Sequence, residues 1–582
     1  MEKIKAVILA AGLGTRMKPF SFSESKTMIP FLGKPLLAHH VDEFVKNNIK
    51  NFIIVCNKNN IKSIKNYFGK FYSDYKFNYA IQKEQLGPSH AIYMTKDYLN
   101  KLFIVKYGDS ISAEDQIASL IKKYNEDESV EGVATLTEVK NPEEYGIAEF
   151  DSNKQLIKII EKPKINPPSN YANVGLFLLK KLALLSSLNK IWTEEVVPPI
   201  EYLLRCQKKI SYWITKARRV DVGRPINILE ATQLFIDKFG GKLESHNLSN
   251  AKISQKAYIG PDAILDKDVE IGNYSHINCY VGRGTKLSNT YIMDNTKVGK
   301  NCNIMHSAIG RNNIIGDNFT TLTNNKLGVF TGENVIISDN LKSYSDKVVF
   351  PNKLITQDIK KDLLISAIFF DIDNTLLKTK EIAKQADMAA MQILAKNTNH
   401  PLNILYQKWK EIVSQLQKSK DPKERTRKYS YFKLANLLNL NKKITKNAYN
   451  SYLKNLISSI KPNEHVHETL QLLKKYKLAA FTEDSKETTL AKLKATNLHN
   501  YFDIIITNND TKIMKPHLDY YNKIFQKLNV SPNECLVIGD NYENDLEIAK
   551  NLGCKTISFG NDKRADYQIN NFKELLKILK NV

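Results

Sequence analysis

The stretch Lys297–Thr321 reads KVGKNCNIMHSAIGRNNIIGDNFTT, and its apolar residues Val298, Ile304, Ile309 and Ile315 fall near every sixth position. Gly299, Gly310 and Gly316 follow three of them, and small or polar residues fill the gaps. A helix would repeat near 3.6 residues and an amphipathic strand at 2. A six-residue period is the mark of a parallel β-helix, in which each hexad forms one face of a coil. The period runs back through Ile292, Ile277, Ile271-Gly272, Leu265 and Ile259-Gly260 to Ile253, with Val281–Leu287 out of phase. Roughly eleven hexads predict three or four coils, over residues 246–342.

On either side the pattern changes. Lys5–Ala10, Asn51–Cys56 and Leu102–Tyr107 are short apolar runs, with amphipathic helical segments such as Pro35–Asn47 between them. Strand–helix alternation predicts a mostly parallel sheet with helices on both faces over residues 1–245. Ligands of such sheets bind at the carboxyl ends of the strands. Residues 343–364 are polar and charged and read as a linker. A second α/β domain follows over 365–582, with strands at Ser366–Phe370, Leu478–Phe481, Ile504–Thr507, Leu536–Ile538 and Lys555–Ser558. A long helical insertion, about 378–470, interrupts it. The chain is therefore expected to be multidomain α/β, in keeping with the three or four domains that 582 residues accommodate.

Composition removes several function classes. Hydrophobic residues at 42% and charged residues at 25% fit a folded chain rather than a disordered one. No run approaches the ~18–20 apolar residues of a membrane span, and the N-terminus lacks a signal-peptide pattern. Six scattered cysteines without a CxxC pair support neither a disulfide framework nor a zinc knuckle. The expected location is cytoplasmic, with no membrane partner. The net charge of +24 is spread along the chain without an arginine-rich block, so no nucleic-acid partner is expected. Such a field favours small phosphorylated substrates.

The first strand ends in Leu9-Ala10-Ala11-Gly12-Leu13-Gly14-Thr15-Arg16, a glycine-rich turn whose backbone can approach phosphates closely. Arg16 and, ten residues later, Lys26 could neutralise them. The run Ala6–Leu37 closely resembles the signature of the sugar-1-phosphate nucleotidylyltransferases, and the resemblance extends over about 240 residues. Ile81–Ala91 (IQKEQLGPSHA) looks like the base-reading segment of bacterial N-acetylglucosamine-1-phosphate uridylyltransferases. Tyr107-Gly108-Asp109 and Asp221-Val222-Gly223 are similar to the family's two metal-bearing elements. Tyr145-Gly146, Glu161-Lys162-Pro163 and Asn173-Val174-Gly175 are similar to its sugar-facing elements. The resemblance implies a Rossmann-like fold and attack of a sugar-1-phosphate on the α-phosphate of an NTP, with pyrophosphate leaving. It implies Mg²⁺ on Asp109 and Asp221, and Arg16 and Lys26 on the phosphates. The nucleotide would be bound by Leu9, Ala11, Gly12, Gly14, Thr15, Gln82 and Gly87, and the sugar by Gly146, Glu161 and Asn173. Three departures stand out: Ser25 and Pro88 replace the usual Pro and Thr, and Arg218-Arg219 precedes Asp221 where an aromatic is common.

In the C-terminal domain the strand SAIFF runs into Asp371-Ile372-Asp373-Asn374-Thr375. Two carboxylates two residues apart at a strand end allow one to be a nucleophile and the other to handle protons. This arrangement resembles the haloacid dehalogenase (HAD) superfamily over about 215 residues. Phe481-Thr482, Lys515-Pro516 and Val537–Asp545 (VIGDNYEND) follow in that superfamily's order. The resemblance implies an aspartyl-phosphate on Asp371, proton transfer by Asp373, and stabilisation of the phosphoryl group by Thr482 and Lys515. Mg²⁺ would sit on Asp371, Asp540 and the Asp373 backbone carbonyl, with Asp545 in support. Glu483 follows the threonine where Asn is common. The insertion falls where the superfamily places a helical cap, which favours a small phosphorylated metabolite as substrate. Lys423, Arg425 and Arg427 within it could touch substrate, but the stronger reading is a solvated charge run.

Some uridylyltransferases carry a left-handed β-helix that transfers acetyl groups, and Ser307–Thr321 is similar to a turn in those proteins. Here His276 and His306 fall in the repeat region of about 250–340, and a lone histidine at a coil corner reads as a surface residue. The β-helix is thus expected to be an oligomerisation scaffold. The whole reads as a bifunctional enzyme of nucleotide-sugar biosynthesis, favouring UTP or dTTP, joined to a phosphatase. Alternatives are added acetyl transfer in the β-helix, or a scaffold with one inactive site.

Overall fold

The computed structural model describes residues 4–579 apart from 23, 192–197, 325, 418, 420, 422 and 512. The chain divides into two compact units, Met1–Asp362 and Leu363–Val582.

In the first unit Lys5–Leu9 buries three consecutive side chains, as a parallel strand covered on both faces does. It pairs in parallel with Asn51–Cys56 and with Leu102–Tyr107. The sheet runs Leu156–Glu161, Gly146–Phe150, Tyr171–Lys180, Leu102–Tyr107, Lys5–Leu9, Asn51–Cys56, Lys76–Ile81, and Gly132–Glu138 and Ile210–Thr215 branch from Tyr171–Lys180. The helix Leu36–Lys46 lies within one residue of its expected bounds at each end. Four parallel strands therefore open their carboxyl ends along one edge.

From Lys242 onward three parallel sheets of seven, six and six short strands form the three faces of a β-helix among the described residues. Val298, Ile304, Ile309 and Ile315 point inward and are at most 2% exposed. The corners turn through left-handed backbone, and asparagine occupies most of them: Asn295, Asn301, Asn312, Asn318, Asn324, Asn334, Asn340 and Asn352 have φ between 41° and 62°. Asparagine visits this region with less strain than other residues that carry a Cβ.

Two expectations are corrected here. Three or four coils is an undercount, and the linker over 343–364 is for most of its length another coil. Lys342–Tyr344, Lys347–Val349 and Leu354–Ile355 extend all three sheets, and Ile359 bridges to Ser343. The six-residue spacing persists through Ile337, Ser343, Val349 and Ile355, none more than 3% exposed. A small serine in one inward position and lysines on the outward ones hide the repeat.

One face of the β-helix packs under the N-terminal domain. Tyr291 Oη donates to the Pro30 carbonyl at 2.6 Å. Arg311 pairs with Glu24 and, at 2.9 Å, with Asp294. Met17, Phe31, Ile111, Val220, Ile228, Tyr291 and Phe330 share one apolar cluster. His276 is not the surface residue expected. It is buried with its ring 4.6 Å from those of both Tyr258 and Tyr291, and burial pushes its pKa down to about 3.

The second unit is built on a six-stranded parallel sheet ordered Ile504–Ile506, Lys477–Phe481, Ala367–Asp371, Cys535–Gly539, Lys555–Phe559, Tyr567–Ile569. All five residues of Ala367–Asp371 are buried at its centre. Among the described residues the cap comprises Lys380–Ala395, Leu402–Leu416, Arg427–Leu437 and Lys442–Ser459. The chain enters and leaves it through adjacent backbone, with Lys378 N donating to Lys461 O at 2.9 Å. The cap is thus shorter than the expected 378–470. Val466–Leu473 packs against Phe572–Ile578 in the core, and the break falls at Lys461-Pro462, where the residue before proline disfavours helix.

Replacing Asn318 by valine forces a β-branched side chain into a left-handed corner and should destabilise the first unit by ~1–2 kcal/mol, whereas Asn318→Gly should stay near wild type. Differential scanning calorimetry of the two variants checks this.

Candidate active sites

The glycine-rich loop is fixed from behind. Asn60 Nδ2 donates to the Ala10 carbonyl at 2.7 Å and Asn57 Nδ2 to the Ala11 carbonyl at 2.8 Å. Both asparagines are buried, and the sequence reading passed over them. Gly14 turns at φ 65° and its carbonyl accepts from Ser21 Oγ at 2.7 Å. Gly12, Thr15 and Arg16 are left exposed, while Ala11 is buried. Lys26 reaches under the loop, where a Cβ on Gly12 would lie 3.6 Å from its Cε, and its ammonium pairs with Asp109. Arg16 extends to the Asp221 element, within 3.8 Å of where a Gly223 Cβ would stand.

Asp109 and Asp221 are brought together through backbone. Gly108 N donates to Leu9 O at 3.0 Å, so Leu9 commits its carbonyl to this contact. A Cβ on Gly108 would stand 2.6 Å from the Leu9 oxygen, a distance that only glycine accommodates. Buried His40 donates from Nε2 to the Gly108 carbonyl at 3.1 Å, and desolvation keeps its ring neutral. Arg219–Asp221 pairs antiparallel with Ser110–Ser112, and Val222 N donates to Asp109 O at 2.8 Å. Arg219 takes the place of the expected aromatic, with Nη2 at 2.6 Å from Asp221 and 3.1 Å from Ser110 Oγ. Each carboxylate thus carries a cation of its own, Lys26 on Asp109 and Arg219 on Asp221. Hard oxygen donors at this spot, beside a phosphate-type loop, fit a dication such as Mg²⁺.

The remaining N-terminal candidates line the same strand ends. Gln82 follows Lys76–Ile81; its Nε2 donates to the Gly87 carbonyl at 3.0 Å and lies 3.2 Å from His90 Nδ1. Gly146 and Glu161 face each other across an antiparallel pair. Asn173 begins a break in register that ends at Phe177. Gly175, inside that break, has φ 72° and passes over the Tyr107 ring, where a Cβ would lie only 2.4 Å away. Its N–H donates to Asn173 Oδ1 at 2.8 Å and fixes that side chain.

In the second unit Lys515 Nζ lies 2.7 Å from Asp371 and 2.6 Å from Asp545. Carboxylate oxygens of Asp371, Asp540 and Asp545 fall within 4.8 Å of one another. Burial, and then repulsion from Asp545, push the Asp371 carboxyl well above its usual range against the pull of Lys515. One lysine does not balance three carboxylates, and a hard dication on these oxygens would. The Asp373 side chain lies outside this group: Thr482 Oγ1 donates to it at 3.2 Å and Lys492 Nζ at 2.6 Å. Burial alone would raise this carboxyl, but Lys492, with the hydroxyls of Thr379 and Thr482, holds it below the usual range. Lys492 also pairs with Asp484 at 2.9 Å. It escaped the sequence reading; its only signal is a lysine on the inward face of Lys486–Ala495, four residues after buried Thr488.

The cap arginines are not a solvated run. Arg427 pairs with buried Asp387 at 3.4 Å and lies over the Trp409 ring at 4.9 Å. Arg425 reaches Glu483 at 3.3 Å. Lys423 is exposed, as expected. No described helix is long and apolar enough to cross a membrane.

Three families match the chain: nucleotidyl transferase over residues 5–237, the GMPPB C-terminal domain over 247–365, and haloacid dehalogenase-like hydrolase over 368–559. Among curated relatives, the bifunctional protein GlmU of Methanocaldococcus jannaschii is 30% identical and is matched over 88% of its length and 57% of this chain. GlmU of Methanococcus vannielii is 27% identical over 97% of its length and 62% of this chain. A bifunctional sugar-1-phosphate nucleotidylyltransferase/acetyltransferase of Sulfurisphaera tokodaii is 28% identical over 65% of its length and 47% of this chain. Strand-end carboxylates, a glycine-rich loop over a β-helix, and these matches lead to one conclusion: the chain belongs to the GlmU-like sugar-1-phosphate nucleotidyltransferases and carries a HAD-like hydrolase domain behind them.

Proposed function

We propose that the first unit transfers a nucleotidyl group from UTP or dTTP to a sugar-1-phosphate, and that the second hydrolyses a small phosphorylated metabolite through an aspartyl-phosphate. The observation that carries the first half is the convergence of Lys26, Asp109, Arg16 and the Asp221 strand on one glycine-rich loop. The attacking sugar phosphate and the NTP are both anions, so positioning and charge neutralisation are what the site must supply. Lys26 and Arg16 face the phosphates, Gln82 and Gly87 the base, and Gly146, Glu161 and Asn173 the sugar. Mg²⁺ on Asp109 and Asp221 would neutralise the phosphates further.

In the hydrolase, an Asp371 oxygen attacks phosphorus and the bond to the leaving oxygen breaks. Asp373 protonates that oxygen, then takes a proton from the water that cleaves the aspartyl-phosphate. Lys492 favours the ionised Asp373 that the second half requires. Lys515 and Thr482 hold the phosphoryl group, and Asp371, Asp540 and the Asp373 backbone carbonyl, with Asp545 in support, would hold Mg²⁺. A coherent order is a sugar bisphosphate trimmed to a 1-phosphate and then activated.

The β-helix fits a scaffold better than an acetyltransferase. It has more coils than expected, but His276 and His306, the two histidines within its regular coils, are both engaged. His276 is enclosed by tyrosine rings, and His306 Nδ1 lies 2.9 Å from Asn289 Nδ2. One face carries an outward apolar stripe, Ile314, Ile336 and Leu354, each more than 40% exposed and aligned by strand register, with Lys297 and Tyr280 separating it from Ile264. We assign this stripe to contact with a second copy of the chain.

Asp371→Asn should abolish phosphate release and leave pyrophosphate release from an NTP and sugar-1-phosphate panel intact; loss of both in a folded variant would contradict independent sites. The double variant Ile314→Lys with Ile336→Lys should shift the sedimenting species from oligomer to monomer. A wild-type chain that already sediments as a monomer would contradict the stripe assignment.

A further inference from the structure

The cations of the second unit are unequally engaged. Lys515 is held by Asp371 and Asp545, and Lys492 by Asp373 and Asp484, all at 2.9 Å or less. Arg425 comes from the cap and has a single ion-pair partner among the described residues, Glu483, at 3.3 Å. That pair is imperfect. The Glu483 oxygen concerned is buried and receives no hydrogen bond, whereas a guanidinium pairs best with an anion through two parallel bonds. Burial pushes the Glu483 carboxyl up as well, against the pull of Lys515 and Arg425.

Position gives the pair its meaning. Glu483 directly follows Thr482, whose hydroxyl is 3.2 Å from Asp373. Asp373 is the group that serves the leaving oxygen, so the leaving part of the substrate extends toward Glu483 and Arg425. A cavity of about 950 Å³ lies between cap and core and is walled by the chain neighbours of both partners, Thr426 after Arg425 and Asp484 after Glu483, with Lys423, Lys428 and Lys486 together with Asp421 and Glu487 around it. Its volume accommodates a sugar-sized ligand.

We propose that Arg425 receives a second phosphate carried by the leaving part of the substrate, displacing Glu483, so that the site selects a sugar bisphosphate over a simple monoester. The inference rests on the hydrolase reading of this domain. Glu483 occupies the guanidinium while substrate is absent and yields it to a dianion that can bond in two places.

The test uses the full-length protein with Mg²⁺. Phosphate release is measured from p-nitrophenyl phosphate, a hexose monophosphate and a hexose 1,6-bisphosphate, for wild type, Arg425→Met, Arg425→Lys and Glu483→Gln. Wild type should favour the bisphosphate. Arg425→Met should lower the ratio of kcat/KM for bisphosphate to that for p-nitrophenyl phosphate by about tenfold or more, as loss of a charge-assisted bond predicts, and mainly through KM. Arg425→Lys should recover part of the ratio, and Glu483→Gln should raise it. The thermal unfolding transition of the second unit, compared with wild type, serves as the folding control. An equal loss on all three substrates means that Arg425 only holds the cap shut, and overturns the proposal. So does a wild type that turns over p-nitrophenyl phosphate but shows no preference for the bisphosphate. If no substrate releases phosphate, the hydrolase reading itself falls and the proposal with it.

Discussion

Carboxylates gathered at one edge of a sheet repel one another, and both units hold theirs in place with cations. In the first, Lys26 covers Asp109 and Arg219 covers Asp221. In the second, Lys515 bridges Asp371 and Asp545 while Lys492 bridges Asp373 and Asp484. Burial strengthens each attraction by lowering the local dielectric, and by the same effect makes any excess charge costly. In the first unit each carboxylate is matched by a cation, whereas in the second one lysine faces Asp371, Asp540 and Asp545 and leaves a deficit. A dication on the second group would offset that deficit.

Rigid supports keep these groups in position. Asn57 and Asn60 fix the glycine-rich loop by its carbonyls, and neutral His40 fixes the turn that bears Asp109. Beneath them the β-helix offers an aromatic face of Tyr258, His276 and Tyr291, and Tyr291 reaches the Pro30 backbone. A repeat structure that adds one strand per face with each coil is well suited to be such a footing, because each coil is pinned by its neighbours.

Much of this was legible along the chain. The hexad period, the Asp371–Asp373 pair and the ends of the apolar strands are local patterns, and local patterns survive without coordinates. The residues missed act at long range. Lys492 meets Asp373 across 119 positions, and Asn60 meets Ala10 across 50. Neither spacing leaves a trace in a periodicity. The false linker over 343–364 came from outward lysines that mask an unbroken inward series, and His276 was misjudged because its burial depends on rings one coil away on either side. The cap arginines looked solvated because their partners Asp387 and Glu483 are distant in sequence.

In the proposed reading a dication sits at both carboxylate groups, beside paired carboxylates in the first unit and on an uncompensated cluster in the second. The most direct measurement is to strip the protein with a chelator, add Mg²⁺ back in steps, and follow pyrophosphate and free phosphate release from one sample. The account predicts that both activities vanish on chelation and return with Mg²⁺, each along its own titration curve. Full activity of either kind in the chelated protein would contradict it.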